Sequence, residues 1–290
     1  MKSKKSKKDN FIRLSLIAFF LLVPALTQGT EIKNKYFKTS DGITLHYLES
    51  GAGTPLVLIP GWTMPAEIWK PQIDFFSRRF RVVALDPRSQ GESQVASSGH
   101  NPERRAQDIK ELLDISGKDK VVLVGWSLGV CEVLTYIKLF GESRLSAIVL
   151  VDNSIGYGLP PSGKSSLLKD FKRNRKKAAE IFVRSMYKRP HKNSYYRRIT
   201  RLSLKTPLKA SLSLLSTLYS REVLRDIIRT QVQVPMLYVV TPAYADQAHQ
   251  LKKEKPNSQI SIFKNSGHAL FVDDPKRFNN LLDKFLKDIL

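Results

Sequence analysis

The stretch Val121-Val122-Leu123-Val124-Gly125-Trp126-Ser127-Leu128-Gly129 decides the fold. Four branched apolar residues in a row, with no polar alternation, read as a strand buried on both faces. They run directly into Gly-x-Ser-x-Gly, and apolar residues at helical spacing follow at Val130, Val133, Leu134, Ile137 and Leu139. A serine on such a strand-to-helix turn is held in a strained backbone conformation. The flanking positions must be glycine because a side chain there would meet the neighbouring strand and helix. That turn lifts the hydroxyl above the sheet edge, with a helix N-terminus behind it that favours developing negative charge.

Outward from this stretch the same rhythm repeats. Tyr36–Thr39 and Ile43–Leu48, joined by Ser40-Asp41-Gly42, predict a hairpin. Pro55–Pro60 and Arg81–Asp86 read as the third and fourth strands, with a helix through Trp69, Ile73 and Phe76 between them. Residues 102–116 form a helix capped by Asn101, with Pro102 at its first position. Ser146–Val151, Pro235–Thr241 and Gln259–Phe263 are further strands, and Asp274-Pro275 opens a last amphipathic helix to Leu290. Buried strands alternating with amphipathic helices imply an α/β protein, a mostly parallel sheet covered on both faces.

Between Asn153 and Val234 the alternation stops. Residues 161–230 hold 19 Lys and Arg against 4 acids, yet keep apolar helical spacing at Leu167, Leu168 and Phe171, at Ile181, Phe182 and Met186, and at Leu212, Leu214, Leu215 and Leu218. This is read as an inserted, strongly basic helical unit over residues 153–234, between core segments 30–152 and 235–290. The whole chain of 290 residues carries a formal charge of +22. Part of that lies at the N-terminus, where Lys2, Lys4, Lys5, Lys7, Lys8 and Arg13 precede the apolar run Leu14–Leu26. A basic start, a short apolar run and a small-residue exit describe a secretory signal peptide over residues 1–29. Export to a periplasm or the extracellular space is expected, with an uncleaved anchor as the lesser reading. The one cysteine, Cys131, excludes an intramolecular disulfide and reads as a small core residue.

Four motifs together carry a resemblance: Pro60-Gly61-Trp62 after the third strand, Asp86-Pro87-Arg88-Ser89-Gln90-Gly91-Glu92-Ser93 after the fourth, Gly125-Trp126-Ser127-Leu128-Gly129, and Gly267-His268-Ala269 after the last strand. Over residues 36–290 the chain resembles an α/β-hydrolase fold protein of the serine esterase or lipase kind, with a helical cap over the site. The resemblance implies Ser127 as nucleophile and His268 as its general base, because a serine hydroxyl needs an imidazole to take its proton. His46, His100, His191 and His249 are read as ordinary surface or core residues. The acid is where the chain departs from the family pattern. The usual Gly-x-x-Asp turn after the strand preceding the histidine is here Thr241-Pro242-Ala243-Tyr244. Asp152, at the end of the sixth strand, is the preferred acid, and Asp246 is the alternative. The resemblance also implies an oxyanion hole from the backbone N–H groups of Trp62 and Leu128. Trp126, with Trp62, is expected to wall the substrate pocket. Asp86 and Arg88 are read as holding their loop.

The expected chemistry is hydrolysis of a small-molecule carboxylic ester through an acyl-enzyme on Ser127. The same residues could serve amide, thioester or carbon–carbon bond hydrolysis, or perhydrolysis. Perhydrolases of this family usually carry Met where Leu128 stands. A serine in place of a carboxylate nucleophile argues against dehalogenase and epoxide-hydrolase chemistry. A non-catalytic protein that binds anionic surfaces through the basic insertion is the alternative from another class. That insertion, densest at Lys172–Lys177, would attract phospholipid head groups at a membrane surface, anionic polysaccharide or an acidic substrate. No nucleic-acid motif, metal cluster or nucleotide loop is visible, so neither a nucleic-acid partner nor a cofactor or metal is expected.

Overall fold

Each uninterrupted apolar run forms an interior strand of one eight-stranded sheet. A computed structural model describes residues 31–158 and 167–290. The strands are β1 (Lys33–Lys38), β2 (Thr44–Ser50), β3 (Pro55–Ile59), β4 (Arg81–Asp86), β5 (Val121–Trp126), β6 (Leu145–Val151), β7 (Met236–Val240) and β8 (Gln259–Ile262). Their order across the sheet is β1-β2-β4-β3-β5-β6-β7-β8. β1 and β2 run antiparallel to their neighbours, and the rest are parallel. β3, β5 and β7 are buried throughout, whereas the edge strand β1 alternates and is largely exposed, as its lysines require. The third strand stops at Ile59, one residue short of expectation, because Pro60 has no N–H to continue a ladder.

Helices α1 (Lys70–Phe76), α2 (Pro102–Ile115) and α3 (Leu128–Phe140) connect the first six strands, α2 capped by Asn101 Oδ1 accepting from Arg104 N at 2.9 Å. Five helices follow β6: α4 (Leu167–Arg173), α5 (Arg175–Ser185), α6 (Asn193–Ser203), α7 (Leu208–Ser216) and α8 (Arg221–Thr230). Then come α9 (Ala245–Glu254), α10 (Leu270–Asp273) and α11 (Pro275–Ile289). Two apolar layers sandwich the sheet. On one face Val57, Leu123 and Ile148 pack with Ile109 and Leu112 of α2, Val133 and Ile137 of α3, Ile228 of α8 and Leu251 of α9. On the other, Leu58, Val124 and Val149 pack with Ile73 and Phe76 of α1 and with Phe271, Phe278 and Phe285 of α10 and α11. Leu139, expected on the buried stripe of α3, instead faces outward.

The helices between β6 and β7 are fastened to loops at the C-terminal ends of the strands. Trp62 Nε1 donates to Ser211 O at 2.7 Å, and the Trp62 ring meets Phe171 and Phe182 edge-on. Thr63 Oγ1 and Ser203 Oγ share a hydrogen bond of 2.7 Å. Ala269 N donates to Met186 O at 2.9 Å. Among the described residues no helix is long and apolar enough to cross a membrane. The expected signal peptide, residues 1–29, lies outside them.

Candidate active site

The backbone at Ser127 has φ 54° and ψ −120°, a conformation that a non-glycine residue adopts only when its surroundings enforce it. Both flanking glycines are needed. A Cβ on Gly125 would lie 2.4 Å from Gly129 O in the following helix, and one on Gly129 would lie 2.5 Å from Ile59 O of β3. Ser127 N donates to Val151 O at 2.9 Å, and Asn153 Nδ2 donates to Ser127 O at 2.8 Å, so β6 holds the turn in place. The Ser127 side chain remains partly accessible at the head of α3.

His268 and Asp152 meet: Nδ1 and Oδ2 are 2.8 Å apart. Asp152 is buried, with its own φ at 47°, and its N–H donates to Val239 O at 2.9 Å. Its second oxygen, Oδ1, accepts from Thr241 N at 2.6 Å. Each carboxylate oxygen therefore has its own donor, which fixes the plane of the group. Thr241 stands where the family has glycine, and its backbone N–H serves Asp152. Asp246, the alternative acid, is exposed in the first turn of α9. Tyr244 occupies the position where an acid is usual, and burial, with the Asp152 charge second, pushes its phenol up to about 12.

The His268 loop is tied to its surroundings on every side. Trp126 Nε1 donates to His268 O at 2.9 Å, so the residue preceding the serine holds the residue bearing the imidazole. Trp126, expected at the pocket wall, is only 1 % exposed and packs between His268 and Phe271. Gly267 N donates to Asp273 Oδ2 at 2.7 Å, and so does Lys188 N from the segment joining α5 to α6, also at 2.7 Å. His191 Nε2 lies 3.2 Å from Asp273 Oδ1. Sequence reasoning missed Asp273. One of its partners, Lys188 N, lies 85 residues away, beyond the reach of any local pattern.

Gly61 brings the loop after β3 against the serine: a Cβ there would sit 2.9 Å from Ser127 Cβ. That puts the backbone of Trp62 next to the turn. Leu128 is the first residue of α3, so the helix itself offers its N–H no partner. Gln90 Nε2 supports the same loop by donating to Gly61 O at 3.1 Å and Met64 O at 2.8 Å. Asp86 accepts from Ala66 N and Glu92 N and pairs with His46 Nδ1, and Arg88 forks onto Asp108 while also reaching Asp41. Both are loop anchors. His100 is buried against Ser89, and His249 is exposed.

On α3 itself, burial raises Glu132 to about 7 although Arg105 of α2 lies 2.7 Å away. Burial, then the Glu132 charge, pushes the Cys131 thiol up to about 12, which leaves it protonated and unreactive. Among the described residues no three His, Cys, Asp or Glu side chains group as metal ligands would.

A sequence profile described as alpha/beta hydrolase fold matches residues 54–275. An AB hydrolase superfamily protein, YisY, of Bacillus subtilis (strain 168) is 21% identical over 262 residues, 86% of this chain and 98% of its own. A pimeloyl-[acyl-carrier protein] methyl ester esterase of Vibrio campbellii is 25% identical over 260 residues, 81% of this chain and 95% of its own. Among solved structures, an esterase from Exiguobacterium antarcticum superposes with a TM-score of 0.78 at 22% identity, covering 88% of this chain and all of that one.

Proposed function

The chain belongs to the alpha/beta hydrolase fold family, and from that premise we propose that it is a serine hydrolase acting on small-molecule carboxylic esters. The observation that carries this reading is the 2.8 Å pair of His268 Nδ1 and Asp152 Oδ2, joined through Trp126 to the strained Ser127 turn. Ser127 Oγ attacks the ester carbonyl while His268 Nε2 takes its proton, and Asp152 holds the Nδ1–H tautomer and stabilises the imidazolium. The backbone N–H groups of Trp62 and Leu128 receive the oxyanion. His268 then returns the proton to the departing alkoxide, leaving an acyl group on Ser127. Water, activated by the same imidazole, hydrolyses that acyl-enzyme. The methyl ester esterase of Vibrio campbellii supports ester as the substrate class.

The helices between β6 and β7 act as a cap that shapes access to Ser127, and their excess positive charge supports contact with anionic surfaces. The basic start and the apolar run at 14–26 support export, which the N-terminal residue of the protein recovered from its cells tests: a start between Gln28 and Thr30 is expected, and an intact Met1 or Lys2 in the membrane fraction would replace export with anchoring.

A fluorophosphonate probe tests the chemistry. Labelling is expected at Ser127, absent in Ser127→Ala, reduced roughly 10⁴-fold in rate in Asp152→Asn and unchanged in Asp246→Asn. A folded protein that takes up no label would overturn the hydrolase reading, and loss confined to Asp246→Asn would move the acid.

A further inference from the structure

Cations on this protein are mostly paired where the helices between β6 and β7 face the sheet body. Arg198 meets Glu67, Lys205 meets Glu92 and Arg189 meets Asp274. The outer side of the same helices is different. Lys176 and Arg184 recur on one face of α5, eight residues apart with Glu180 midway, and Arg197 and Arg201 are four apart on α6, the spacings that stack side chains along a helix. Together they line an open groove of about 610 Å³. Lys176, Arg197 and Arg201 make no ion pair with any acid among the described residues, and Glu180 is the one acid that lines the groove.

The groove is shaped as well as charged. Its floor is buried Tyr196 and Thr200, with half-buried Leu204 at one end. The Arg184 guanidinium lies 4.4 Å over the Tyr196 ring and donates to Asn193 Oδ1 at 3.1 Å, so one cation is held ready instead of swinging free. One residue on from Glu180, Ile181 is 58% exposed. A branched aliphatic beside a row of unpaired cations is the composition of a surface that meets lipid: charge for the head group, apolar area for the acyl boundary.

We infer that the α5–α6 groove is a seat for the phosphate-bearing head group of an anionic phospholipid, docking the protein on a membrane surface. This rests on the reading that the basic segment meets anionic surfaces and says which part of it does. A soluble phosphate monoester shares the head-group chemistry but has no use for Ile181. A nucleic-acid backbone likewise has none.

The test is co-sedimentation of the full chain with vesicles of phosphatidylcholine alone and of phosphatidylcholine with one quarter phosphatidylglycerol. Binding to the neutral vesicles reports any contribution from the apolar run at 14–26, which is the same in every variant, and the excess on anionic vesicles is the quantity read. Arg197→Gln with Arg201→Gln is expected to lower that excess about 10- to 30-fold, the effect of two cations at the surface. Lys118→Gln with Lys120→Gln removes the same charge from the exposed loop before β5 and is expected to change it less than about twofold. Ile181→Ser is expected to weaken it further without altering net charge. No excess in the unaltered protein would sink the surface-binding reading itself. An excess lost equally in both charge pairs, or in neither, would sink only the groove. Displacement by millimolar glycerol phosphate would reassign the groove to a soluble ligand. Turnover of a short soluble ester by the unaltered protein reports on the hydrolase reading separately.

Discussion

Gly129 and Gly61 both lie against the Ser127 turn, yet each lacks a side chain for a different reason. An alanine at Gly129 would push its methyl to 2.5 Å from Ile59 O, a backbone atom of a central strand that cannot move without shifting the sheet. Gly129→Ala is therefore expected to destabilise the fold by about 3 kcal/mol, read as a lowered urea midpoint. At Gly61 the obstacle is the serine itself, with Ser127 Cβ at 2.9 Å and the Trp126 ring at 3.3 Å. Ser127 Cβ is fixed by the backbone of its turn, so the loop after β3 must retreat; Gly61→Ala is expected to cost less stability than Gly129→Ala and to lose turnover, about 100-fold in kcat for a displacement on the order of 1 Å. A stability loss at Gly61 as large as that at Gly129, with kcat intact, would mean that the loop after β3 does not abut the reacting group.

At the scale of elements, what was legible depended on whether the signal was local. The glycines around Ser127, Asn101 ahead of Pro102, and the turn at Asp41-Gly42 all act within a few residues, and each strand or helix they bound formed within three residues of expectation. The acid was not local. Asp152 and Asp246 both follow strands that end beside the histidine loop. What separates them exists only in three dimensions: Asp152 is buried with its oxygens on His268 Nδ1 and Thr241 N, whereas Asp246 is exposed. Asp273 was illegible for the same reason. It accepts from Gly267 N in its own loop and from Lys188 N between α5 and α6, partners 6 and 85 residues away. That difference is testable against its neighbour. Asp273→Ala leaves the part-buried N–H groups of Gly267 and Lys188 without this acceptor and loosens the residue preceding the imidazole and the α5–α6 segment beside it. About 3 kcal/mol of stability and a fall in kcat are expected together. Asp274→Ala removes a helix cap and is expected to cost about 1 kcal/mol with kcat unchanged. Equal effects from the two would reduce Asp273 to an ordinary cap.

For the molecule as a whole, the net charge of +22 conceals a local excess of acid partners that binds the sheet's antiparallel edge to its helices. Asp41, in the β1–β2 turn, accepts from Arg88, which also grips Asp108 of α2, and Arg104 of α2 reaches Glu111 and Ser40. Hydrogen bonds from Arg88 hold the Asp41 carboxyl down at about 2, against an ordinary value near 3.8. Burial pushes Glu111 up, but hydrogen bonds from Ser40, Gln107 and Arg104 prevail and hold it at about 2 as well. A carboxyl whose value is lower folded than unfolded adds stability that is complete above the unfolded value and is lost as the pH falls through the folded one. The network therefore works in full at neutral pH and fails between about pH 4 and pH 2. Asp41 is one-third exposed, so solvent screening reduces its share to about 1 kcal/mol. Asp41→Asn is expected to lose that amount in urea unfolding at pH 7, and the gap to the unaltered protein should narrow steadily as the pH is lowered from 4 toward 2. A gap that stays constant over that range would show that Asp41 contributes through the shape of the hairpin turn and not through its charge.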